Sequence, residues 1–171
     1  VGAAGRFFAG RLWPYGRSAD QEDPIVRERF SDIRFYGGGS EDVRGWHNQL
    51  LGPIRINRTG KANRFVPLGE LGKVFANDEL RLPIPFLGSE WGTTVFADAG
   101  HIGTQGLSYD PTEYKYGAGA GIRYATPIGP VRFDIAYKLN PSPMDLRAPI
   151  PGAEPSFWRR MAVYFSIGNP F

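Results

Sequence analysis

The chain has no cysteine, which excludes a disulfide framework and a thiolate metal site. Its two histidines, His47 and His101, are not paired at ligand spacing, so no metal site is expected. No apolar run reaches the roughly 18 residues that mark a transmembrane helix. No charged-then-apolar leader precedes Val1, so the chain is expected either to have lost a signal peptide or to be a piece of something longer. Basic and acidic residues are nearly balanced, at net charge +3, and the basic ones are scattered. That argues against a nucleic-acid partner. No nucleophile motif appears, the Gly37-Gly38-Gly39 run lacks the Lys-Ser/Thr of a phosphate loop, and neither an enzyme activity nor a cofactor is expected.

The residues that are abundant point to one class. Glycine (23) and proline (15) are plentiful, but so are Phe (12), Tyr (8) and Trp (4), too many aromatics for a disordered chain. From Tyr114 to Tyr124 the larger apolar residues fall on even numbers. From Val131 to Leu139, and again from Met161 to Ile167, they fall on odd numbers. A period of two places one apolar and one polar row on opposite faces of a strand. Lys73 to Leu82 and Trp91 to Gly100 alternate less cleanly, and Val1 to Trp13 reads as an opening strand. No amphipathic helix is readable.

The connections alternate in length. Residues 16–68 form a very long one, Pro85 to Glu90 a tight turn, Gly103 to Glu113 a medium loop, Thr126 to Pro130 a tight turn, and Asn140 to Ser156 a long loop. Transmembrane barrels combine short periplasmic turns with long extracellular loops in this way. Tyr114, Tyr124, Trp91, Trp158 and Phe171 sit near strand ends, as an aromatic girdle would. Alternation by itself also suits a soluble antiparallel barrel or sandwich, with the apolar face turned into a core.

Within the long connection, Arg34 to Trp46 reads RFYGGGSEDVRGW. Three consecutive glycines and several aromatics suit a segment that packs closely into a cavity. An arginine there needs acidic partners. Gly37-Gly38 followed by Val43-Arg44-Gly45-Trp46 resembles the tip of the in-folding sixth extracellular loop of the BamA/TamA superfamily of outer-membrane protein assembly factors. Leu51-Gly52-Pro53, Glu79-Leu80-Arg81-Leu82-Pro83, Phe96-Ala97-Asp98-Ala99-Gly100 and the run Tyr124 to Asp134 are similar to later parts of that family's barrel, in the same order. The end of the chain, with Phe165, Ile167, Gly168 and Phe171, resembles its terminal strand.

The resemblance implies an all-β chain: the C-terminal part, about six antiparallel strands, of a transmembrane barrel of sixteen when complete. It implies an integral protein of a bacterial outer membrane or organelle outer envelope. Residues 1–171 would form one barrel segment with the in-folding loop 16–68. The implied function is insertion of unfolded outer-membrane proteins, without nucleotide, through a seam to which Ser156 to Phe171 contributes. Partners would be membrane lipids, the remainder of the barrel and the substrates. Arg44 would be held in the lumen by Glu79 and Asp98, and counting back from the Phe86–Ser89 turn places those two carboxylates nearly opposite each other. Asp78 falls on the lipid face and is expected near the rim, unless the strand carries a bulge. Two other functions stay open: a two-partner-type secretion pore, and a membrane-anchor barrel of a larger protein.

The alternating glycines Gly117, Gly119 and Gly121 mimic a dinucleotide-binding loop, but they lie within a strand pattern and no helix follows. They read as barrel-wall glycines that leave room for the loop. Six strands alone leave two open edges, which hydrocarbon does not tolerate. The chain is therefore expected to continue in a longer polypeptide or to pair with another chain.

Overall fold

The computed structural model describes residues 1–21, 23–59, 62–104, 107–108, 110–147 and 154–168. Six strands form one antiparallel sheet: β1 (Gly2–Arg11), β4 (Gly72–Pro83), β5 (Trp91–Gly103), β6 (Lys115–Tyr124), β7 (Val131–Lys138) and β8 (Met161–Ile167), adjacent in that order. After β4 each strand pairs with the next in sequence. β1 pairs with β4 across the whole long connection, from Gly2 opposite Arg81 to Arg11 opposite Gly72. Among the described residues no helix is long and apolar enough to cross a membrane.

The sheet is apolar on the outside and polar on the inside. Phe133, Ile135, Val163, Phe165 and Ile167 all lie exposed on one face. On the other, Asn77, Glu79, Thr94, Asp98, Arg132, Asp134 and Lys138 are buried. A soluble sandwich would bury the first set and expose the second. The reverse arrangement suits a wall with lipid on one side and a polar interior on the other. β4 and β5, of 12 and 13 residues, are long enough to cross a bilayer at the usual tilt, for which about 9–11 residues suffice.

The connection 16–68 is not continuous loop. It contains a short helix, α1 (Pro24–Arg29), and a hairpin of β2 (Ile54–Thr59) and β3 (Ala62–Pro67) that stays separate from the main sheet. Asp23 caps α1 by accepting from the Ile25 N–H at 2.8 Å, and Pro24 occupies the first turn. Six residues are too few for a helical period to show in the sequence. The tight turn after β4 contains a 3-10 turn, Pro85–Leu87.

Two expectations about β4 need correction. Pro83 pairs with Gly92, so Glu79 lies opposite Phe96, and Asp98 lies opposite Asn77. The carboxylates are therefore diagonal rather than level, because register follows the number of residues in the turn. Asp78 is not at the rim. It sits mid-strand on the outer face between Gly5 and Ala97, and the ladders on both sides run without a bulge.

Candidate functional site

The segment from Arg34 to Leu51 lies across the polar face of the sheet. Its entry is fixed by a bridge between Phe35 and Glu70, whose backbone groups exchange hydrogen bonds of 2.9 and 3.0 Å. Its exit is held where the Leu51 N–H donates to the Gly37 carbonyl at 2.9 Å. Between them the tip closes on itself, with Gly39 N–H donating to the Trp46 carbonyl at 2.9 Å. Asp42 accepts from the Gly38 N–H at 3.1 Å and pairs with Lys73 of β4 at 2.6 Å. Gly45 adopts φ +110 against the backbone of Tyr137 and Lys138, a conformation that disfavours any residue with a Cβ.

Val43, Trp46 and Leu51 form a buried apolar cluster with Phe75 and Ile102 of the sheet. Burying side chains the size of Val43 and Leu51 stabilises by roughly 1.5–3 kcal/mol each. That burial offsets part of the entropy lost in ordering a glycine-rich loop.

The structure brings Arg44, Glu79 and Asp98 together. Arg44 Nε and Nη2 donate to the two Asp98 oxygens, each at 2.7 Å, and Nη1 donates to Glu79 Oε1 at 2.7 Å. The Arg44 backbone N–H adds a fourth bond, to Asp98 Oδ2 at 3.0 Å. The guanidinium carbon lies 3.5 Å from the centre of the Phe96 ring. All three charged residues are at most 3% exposed. The diagonal offset of the acids suits a planar fork, which takes one carboxylate side-on and the other at its end.

Further inner-face residues complete the site, and spacing along the chain does not single them out. Arg123 of β6 donates to Glu79 at 2.6 Å and Arg81 to the same oxygen at 3.0 Å. Asn77 of β4 bridges the Asp42 carbonyl and Asp98, at 2.6 and 2.9 Å. Arg132 pairs with Asp134 on β7 at 2.7 Å. Tyr164 of β8 accepts from the Gly45 N–H at 2.9 Å and donates to the Trp46 carbonyl at 2.8 Å. The parity of the strands places these side chains on the polar row, but nothing local relates them to residue 44. A Cβ at Gly117 would overlap the Arg44 carbonyl oxygen, so the bare β6 wall sets how closely the loop approaches.

Of the terminal-strand residues, Phe165 and Ile167 lie exposed on the outer face. Gly168, at φ +104, donates to the Pro130 carbonyl at 2.8 Å. Phe171 lies outside the described residues. Beside the tip, desolvation, helped by the Lys138 and Arg159 cations, pushes the His47 imidazole below its ordinary value. Among the described residues no group of three or more His, Asp or Glu side chains could hold a metal ion.

The profile of the Omp85 superfamily domain matches residues 29–171. The chain belongs to the Omp85 superfamily. This Omp85 chain is 30% identical over 140 residues to outer membrane protein assembly factor BamA of Neisseria meningitidis serogroup B, an alignment that covers 65% of the chain and 17% of that protein. Its fold is similar to that of BamA from Haemophilus ducreyi lacking POTRA domains 1–3. That match has a TM-score of 0.53 and 21% identity, and spans 80% of this chain and 27% of the other. The Omp85 chain thus spans about a sixth of the curated relative's length. It is an integral outer-membrane segment with the strand architecture of a transmembrane β-barrel.

Proposed function

We propose that this chain forms the C-terminal wall of a barrel that inserts unfolded outer-membrane proteins, without nucleotide or enzymatic chemistry, through a seam bordered by β8. Residues 16–68 act as the extracellular loop folded into its lumen. Arg44, Glu79 and Asp98 lock that loop to the wall. The observation that carries the reading is the burial of Val43-Arg44-Gly45-Trp46 on the polar face, with one guanidinium shared by acids from two strands.

The outer edge of β8 suits this role. Among the described residues β8 pairs only with β7 in the main sheet, and its other edge carries backbone donors and acceptors that an incoming strand can pair. The test reconstitutes the native polypeptide carrying this chain into liposomes and supplies a urea-unfolded barrel substrate. Folding of the substrate is read from heat-modifiable gel mobility. Acceleration over empty liposomes is expected, with loss of acceleration on Arg44→Ala. Equal rates with and without the protein would reject insertase function.

A further inference from the structure

Where β1 and β4 end at the loop side of the sheet, the Leu12 N–H donates to the Leu71 carbonyl at 2.7 Å. Beyond that last rung lies a cavity of about 440 Å³ between the strand ends and the segment around α1. This volume is in the range of small-molecule sites, roughly 300–1,000 Å³. Its wall is largely apolar, including Leu12, Trp13, Phe30 and Leu71, and two guanidinium groups, Arg17 and Arg34, complete it. No acidic residue is among its described lining residues.

Arg34 is the informative member. It is only 6% exposed, yet it forms no ion pair among the described residues. Its Nη2 donates to Gln21, and its Nε has no hydrogen-bond partner. Glu70, whose charge reaches Arg34, accepts its hydrogen bond from Arg27 Nη2, at 3.0 Å. A buried cation whose neighbouring carboxylate is already bonded to a second arginine is under-compensated, and an anion beside it offsets that cost. Guanidinium forks match phosphate oxygens with particular geometry. Trp13 and Tyr15, both strongly exposed at the cavity, are the residue types that settle at a membrane–water boundary.

We propose that this cavity binds a phosphate-bearing lipid, with the phosphate against Arg34 and Arg17 and the first part of the acyl chain along Leu12, Phe30 and Leu71. The site lies beyond the strand ends and is separate from the Arg44 cluster.

The native polypeptide carrying this chain, purified in a neutral maltoside detergent, is titrated calorimetrically with hexyl phosphate, hexanol and inorganic phosphate. Saturable binding of hexyl phosphate is expected, with hexanol and inorganic phosphate each weaker by about tenfold or more, because a charge-assisted hydrogen bond and apolar burial each contribute on that scale. Arg34→Gln should weaken hexyl phosphate by about tenfold or more. Ile33→Glu, at an exposed lining position, adds a repelling carboxylate to the cavity wall, and should weaken binding by a similar factor even if Arg34→Gln misfolds. Hexyl phosphate binding no more tightly than hexanol, or no more tightly than inorganic phosphate, would overturn the proposal. So would unchanged affinity in Ile33→Glu.

Discussion

Arg44 and Asp98, 54 residues apart in sequence, meet side-on through two hydrogen bonds of 2.7 Å each. A third bond joins the Arg44 backbone to the same carboxylate. The pair anchors loop and wall both by side chain and by main chain, so truncating either member leaves a charge in a site that excludes water. Arg44→Ala is expected to destabilise the folded barrel by about 3–5 kcal/mol. Arg44→Lys should recover only part of this, because an ammonium cannot make the planar two-point contact. Urea titrations of folding into vesicles, followed by tryptophan fluorescence, measure both.

The Asp98→Asn and Glu79→Gln changes remove acceptor charge from the same network. Combined with Arg44→Ala, each should cost much less than the sum of the single changes, because the second change removes a charge already left without its partner. Strict additivity in a double-mutant cycle would contradict the contacts described.

Tyr164→Phe deletes one hydroxyl and, with it, both bonds from β8 to the loop tip at Gly45 and Trp46. Net losses of about 0.5–1.5 kcal/mol per bond give an expected destabilisation of roughly 1–3 kcal/mol. Added protease should cleave the loop around Gly38 to His47 faster in the variant, while β8 still pairs with β7. An unaltered cleavage rate would show that the hydroxyl does not hold the tip.

Gly117→Val places methyl groups where the Arg44 carbonyl now lies against β6. The strand itself favours a β-branched residue, so the strand should persist while the loop is displaced. The expected result is a folded barrel by heat-modifiable mobility, with loop protection from protease lost.

On the outer face, Asp78 lies mid-strand and exposed, between Gly5 and Ala97. A carboxylate facing hydrocarbon is unfavourable, by less than the roughly 2–4 kcal/mol of a basic residue at the bilayer midplane. Asp78→Leu is therefore expected to raise stability in vesicles by up to about 2 kcal/mol. A loss of stability would show that Asp78 faces something other than lipid.

The alternation in β6, β7 and β8 is legible without coordinates because it is local: each side chain's face follows from its neighbour's. So are the turns at Pro85–Glu90 and Thr126–Pro130, where glycine and proline leave few conformations open. Arg44, Glu79 and Asp98 enter from the family resemblance, since nothing in spacing relates residue 44 to residue 98. Helix α1 and the β2–β3 hairpin are too short, and too polar in part, to stand out from a long connection. The offset between Glu79 and Asp98 depends on how many residues the turn absorbs, and that is settled only when the strands pair. Asn77, Arg123 and Tyr164 join the site because the sheet stacks β4, β5, β6, β7 and β8 side by side beneath the loop. Local periodicity thus decides which face a residue takes. Which distant charges share that face at bonding distance is decided by register and packing alone, because hydrogen bonds act over a few ångströms whatever the separation along the chain.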